Sequence, residues 1–149
     1  EILEVIFRKF EKEFLDGFID AVNNCTGDFA AKYKIFHKFT TEFARDNRDL
    51  SLAFNSLLTE IIGTSTEGEK IVREIWERYR KFIEELLDEG KKDGYVDQHI
   101  DSTLYAHIIV ANQTGMLVQW FVYGNRLDAR AFAKTFQTFL LDGILKEKR

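Results

Sequence analysis

Proline occurs nowhere among the 149 residues. A chain without proline nowhere locks φ and nowhere loses a backbone donor to a ring, so nothing in it forces a helix to break. The apolar residues use that freedom. They recur at spacings of three and four in six stretches separated by short polar turns, and no strand-like alternation appears. The expectation is an all-α fold, a six-helix bundle whose short loops make neighbouring helices roughly antiparallel. With 45% apolar and 31% charged residues, disorder is excluded as a description of the whole. At this length the chain is one domain, residues 1–149, with its own core.

The first stretch runs from about Glu1 to Asn24, with Leu3, Phe7, Phe10, Phe14, Phe18 and Ala21 on one face. Asn23 to Asp28 is a turn, and Asp28 is a cap candidate for the next helix. The second stretch, Phe29 to about Arg45, aligns Phe29, Tyr33, Phe36, Phe39 and Phe43. The third, Leu50 to Ile62, follows Asp49 as a cap candidate. The fourth, about Glu67 to Glu89, opens on Thr66 and Glu69 at capping-box spacing. Gly90 is expected to end it, with a turn at Gly94.

The fifth stretch stands apart, because Ser102 to Asn125 holds no formally charged side chain. A helix apolar all round is buried on more than one side. A membrane span is disfavoured by His107, Asn112, Gln113, Thr114 and Gln119, each of which needs a partner in hydrocarbon. A helix packed on its own core by one face and on a partner chain by the other fits better. The sixth stretch, about Asp128 to Lys146, carries Phe132, Phe136, Phe139 and Leu140 on a wide apolar face.

Chemistry is scarce. A carboxylate-bridged metal pair needs Glu-x-x-His on two helices. Here Lys34, Val96 and Leu104 stand three before His37, His99 and His107, so no metal or other cofactor is expected. Cys25, the single cysteine, has no neighbouring histidine to activate it, cannot form an internal disulfide and suits a reducing cytoplasm. No nucleophile elbow or phosphate-binding glycine loop occurs. The first 100 residues carry 15 basic against 21 acidic side chains, which is no footprint for nucleic acid. With no candidate acid–base pair, an enzyme is not expected.

Glu89-Gly-Lys-Lys-Asp-Gly-Tyr-Val-Asp97, then Asp101 opening an apolar helix with Gly115 and Gln119-Trp120, then Asp128 and Phe139-Leu-Leu-Asp-Gly-Ile144 come in a familiar order. It resembles the C-terminal half of TetR-family transcriptional regulators. The opening Glu1-Ile-Leu-Glu-Val-Ile-Phe also looks like that family's first helix after its DNA-binding part. The resemblance implies a ligand-sensing and dimerisation domain whose last two helices pair with those of a second subunit in a four-helix interface. It implies a DNA-binding helix-turn-helix upstream of residue 1, so that operator DNA is met only through that part. No membrane partner is expected, and the start of the chain reads as a cut end.

Two residue sets carry these expectations. Phe18, Phe39, Trp76, Tyr79, Ile83, His107 and Ala111 are the candidates for a cavity holding a hydrophobic or amphipathic effector. His107 reads either as a core histidine bonded to a backbone carbonyl or as a ligand contact, and the Trp76 and Tyr79 tips carry the same two readings. Met116, Trp120, Tyr123, Phe132, Phe136, Phe139 and Leu140 are the candidates for a homodimer seam, because a six-helix monomer cannot cover so much apolar surface. The alternative is a helical adaptor without a ligand, its phenylalanine stripes plain core.

Overall fold

The computed structural model describes residues 2–145. A continuous helical rod comes first: α1 (Ile2–Phe10), a π-helical turn (Glu11–Asp16) and α2 (Gly17–Asn23). Then follow α3 (Phe29–Asp46), α4 (Arg48–Ile61), α5 (Glu67–Lys92), α6 (Ser102–Tyr123), a short 3₁₀ turn (Gly124–Arg126) and α7 (Ala129–Ile144). The expected six helical stretches are present and the fold is all-α. The π turn within the first stretch is new.

The helix ends follow from local chemistry. The Leu104 backbone N–H donates to the Asp101 carboxylate at 3.0 Å, and the Ala131 N–H donates to Asp128 at 2.9 Å, so these two aspartates cap α6 and α7. At the start of α5 the Glu69 N–H donates to the Thr66 hydroxyl at 3.4 Å. The Glu69 carboxylate reaches one residue further back than a capping box requires and accepts the Ser65 N–H at 2.7 Å. Ser65 has φ +56°, and this bond helps hold that left-handed turn. Asp49 is not the cap of α4; it lies inside the helix, after Asn47 at the N-cap position. Gly90 does not end α5 either. It is buried within the helix, and its carbonyl accepts the N–H groups of Tyr95 (2.9 Å) and Val96 (3.1 Å), folding the turn back on the helix. Gly94, with φ +77°, makes that turn possible. The end predicted for the last stretch, Lys146, lies outside the described residues; α7 reaches Ile144.

The chain divides into two compact units. The first takes the residues up to Gly27 together with Ala31–Tyr79, and the second takes Asp28–Ala30 together with Arg80 onward. Phe7, Phe10, Leu15, Phe18, Val22, Phe36, Phe54, Ile75 and Tyr79 form the centre of the first core. Phe29, Ile83, Leu87, Val96, Ala106, Ile109, Phe136, Leu140 and Ile144 form that of the second. In the second unit the Asp97 N–H donates to the Ile144 carbonyl at 3.0 Å, and Val96 bridges Leu145, so the end of α7 is tied to the turn after α5.

Candidate functional site

The first unit is built around touching aromatic rings. Phe54 stacks on Phe10 with centroids 3.8 Å apart and meets Phe7 and Trp76 edge-on at 5.7 and 5.8 Å. Phe18 meets Phe36 at 5.2 Å and Tyr79 at 5.4 Å, and lies 6.2 Å from Phe39. Tyr79 in turn lies 6.0 Å from Trp76. Offset and edge-on pairs of this kind each contribute about 0.5–1.5 kcal/mol beyond the area they bury. Gly17 allows Phe39 its approach: a Cβ there would sit 3.0 Å from the ring's Cζ.

Four of the expected cavity residues, Phe18, Phe39, Trp76 and Tyr79, are thus brought together in one unit as neighbouring rings. Phe18 and Tyr79 are buried, whereas Phe39 and Trp76 are half-buried. The other three lie in the second unit. Ile83 is buried there, but His107 and Ala111 sit on the exposed side of α6. Sequence reasoning missed two polar members of the first unit. Tyr33 and His37, one turn apart on α3, are buried, and Tyr33 lies 5.5 Å from Phe36. Burial pushes the Tyr33 phenol up, so it stays protonated through the whole physiological range. Their spacing of four within an aromatic stripe was the available signal.

The exposed side of α6 is the second feature. Leu104, Ile108, Ala111, Gly115, Val118 and Val122 follow one another at spacings of four and three along one face. The four large ones are 44–66% exposed. The buried side holds Ser102, Ala106 and Ile109. Of the seam candidates, Tyr123 and Phe139 are exposed, Met116, Trp120 and Phe132 are half-buried, and Phe136 and Leu140 are buried in the chain's own core. The Leu104–Val122 line was not among those candidates, although its spacing was there to be found.

Among the described residues no three His, Cys, Asp or Glu side chains are grouped to hold a metal ion. Among them too, no helix is long and apolar enough to cross a membrane. Cys25 is half-buried.

Among curated proteins, none matches the chain significantly. Solved structures do. MbdR regulator from Azoarcus sp. CIB superposes with a TM-score of 0.83 at 22% identity, over 95% of this chain and 75% of that one. The ketosteroid transcriptional regulator KstR2 of Mycobacterium tuberculosis gives 0.79 at 18%, over 97% and 73%. The transcriptional regulator FadR from Bacillus subtilis, in complex with stearoyl-CoA, gives 0.79 at 17%, over 97% and 75%. Identities this low establish the shared fold. Membership rests on the sequence itself, because residues 10–143 match the TetR C-terminal profile described as "YsiA-like protein, C-terminal region". The chain therefore belongs to the TetR family of transcriptional regulators, as a YsiA-like C-terminal region.

Proposed function

We propose that this region senses a hydrophobic or amphipathic effector, dimerises through α6 and α7, and so controls operator binding by a helix-turn-helix carried upstream. The observation that carries the reading is the aromatic interior of the first unit. Phe18, Phe39, Trp76 and Tyr79 offer an acyl chain or fused ring large, flat, apolar surfaces, and Tyr33 and His37 add buried polar tips to the same interior. The stearoyl-CoA complex of the structurally similar FadR supports a long-chain acyl thioester as the first effector to test. The single thiol suits work in the cytoplasm.

Thermal melts with stearoyl-CoA, free stearate and an aromatic CoA thioester test the sensing half. A ligand at one hundred times its Kd stabilises the folded chain by about 2.7 kcal/mol. For a chain of this size that raises Tm by roughly 5–10 °C. If none of the three moves Tm, the effector reading in this form is lost. The dimerisation half is tested by sedimentation. Val118→Glu places a charge on the exposed α6 line and is expected to convert a dimer to a monomer with unchanged helicity. A dimer that persists in that variant would remove α6 from the interface. A stable dimer that binds none of the three compounds would favour the adaptor reading.

A further inference from the structure

Phe39 is the most widely spaced ring of the first unit. Among the described residues its ring partners are Phe14 and Phe18, both at 6.2 Å, and Phe43 at 6.1 Å. Each of the unit's other Phe, Tyr and Trp rings has a partner within 5.8 Å. The turn of α3 that carries Phe39 is weakened as well. The Thr40 and Thr41 hydroxyls both donate to the His37 carbonyl, at 3.0 and 2.8 Å. Hydroxyl bonds of this kind slightly destabilise a helix and often bend it.

The tip of this ring fills a notch in the opening rod. A Cβ on Gly17 would sit 3.0 Å from Phe39 Cζ and 3.5 Å from Cε2, so the tip rests on a residue with no side chain. Phe14 and Phe18, on either side of Gly17 along the rod, hold their rings parallel to within 9°, and Phe39 stands equally far from both. Gly17 is the base of the notch, and Phe14 and Phe18 are its walls. The π turn places the first wall. The buried side chains of the rod run Phe7, Phe10, Leu15, Phe18, Val22, with a step of five across Glu11–Asp16. Phe14 continues the inward face of α1 and Leu15 opens that of α2, so the turn sets both toward the rings. The Arg78 guanidinium pairs with both ends of the turn, Glu11 and, at 2.9 Å, Asp16. Such π turns inside α-helices are frequent at functional sites. Phe14, Gly17 and Phe39 are half-buried, whereas Phe18 and Tyr79, 5.4 Å apart, are buried. The notch therefore leads from the surface of the unit to two rings of its interior.

We propose that Phe39 is a displaceable plug. The notch takes either the ring tip or the apolar end of an effector, which then lies against Gly17 between Phe14 and Phe18. This rests on the sensing role proposed above for the first unit. The plug sets the effector concentration to which the unit responds. A ring that fills the notch in about nine chains of ten raises the apparent Kd about tenfold, because only chains with the ring displaced bind.

Titration with cis-parinarate, a fluorescent fatty acid, tests the plug. Phe39→Ala removes the competing ring and is expected to lower the parinarate Kd about tenfold. A ring that only lined the site would lose contacts instead, so a raised or unchanged Kd overturns the proposal. Gly17→Ala puts a methyl in the notch and is expected to raise the Kd about tenfold, both alone and in the Phe39→Ala background. If Gly17→Ala leaves the tightened Kd of the Phe39 variant as it is, the probe sits only in space vacated by the ring, and the proposal is overturned. Should parinarate bind none of these chains, the acyl-effector reading falls and the plug falls with it. Binding without the tightening on loss of Phe39 overturns the plug alone. If circular dichroism shows the Phe39→Ala chain unfolded, Phe39→Leu, too short to reach Gly17, replaces it with the same tightening expected.

Discussion

Two glycines inside helices should respond to the same substitution with opposite signs. Gly90 is buried near the end of α5, and Gly143 is exposed in the last turn of α7. On propensity alone, alanine gains up to about 1 kcal/mol at either position. The neighbours decide otherwise. A Cβ on Gly90 would lie 2.6 Å from Val96 Cγ2 and 2.7 Å from Phe29 Cδ2, whereas on Gly143 it meets nothing within 4 Å. Val96 and Phe29 are fully buried, so neither can swing into solvent to make room. Forcing a methyl into such a site costs about 1–3 kcal/mol. After the propensity gain, Gly90→Ala should still lose about 1–2 kcal/mol, or roughly 2–8 °C in Tm for a chain of this size. Gly143→Ala should keep or slightly raise stability. Urea unfolding followed by helicity, at one fixed protein concentration, measures both. A Gly90→Ala chain as stable as the parent would refute the reasoning, because it would mean that the Phe29–Val96 packing yields at no cost.

Phe54→Ala removes the ring that stacks on Phe10 and touches Phe7 and Trp76, and should cost about 3–5 kcal/mol in urea unfolding. A change in Trp76 emission should accompany it. The Arg73 guanidinium, then the N–H groups of Gly63 and Ser65, hold the Glu69 carboxyl below its ordinary pKa. A depressed carboxyl adds stability above the unfolded pKa, about 4.3, and loses it as pH falls through the folded value. Glu69→Gln should therefore be less stable than the parent near neutrality and lose less on acidification. Urea midpoints from about pH 7 to about pH 3 should converge for the two chains.

The parts of the fold legible in the sequence are those decided within four residues of chain. Asp101 and Asp128 cap because a short carboxylate reaches the N–H three residues on, whatever the rest of the molecule does. Gly90 was legible as a required glycine but for the wrong reason. Its role is to admit Phe29 and Val96, residues far from it in sequence or beyond a turn, and no local pattern encodes that. The π turn was hidden for a different reason. Phe14 and Leu15 are both apolar, as are Ala21 and Val22, so an uninterrupted α-stripe existed and concealed the observed one. What pairs with the two ends of the observed turn is Arg78, more than sixty residues away.

The same ambiguity explains the placement of His107 and Ala111. A helix is oriented from sequence by its charged side, and α6 has none. Periodicity could show that α6 is apolar on several faces, but not which face turned to its own core. The chain buries the small residues, Ser102 and Ala106 beside Ile109, and leaves Leu104, Ile108, Val118 and Val122 outside. Each of those four, 44–66% exposed, forgoes about half of the 1.5–3 kcal/mol that full burial gives. Isolated exposed aliphatics are ordinary on protein surfaces. Four on one line, spaced four and three with Ala111 and Gly115 between them, support the proposed α6 seam, in which the two small residues would allow the closest approach. In that proposal His107 flanks the seam, one residue off the line. The proposed effector set then keeps the four aromatic rings of the first unit and loses His107.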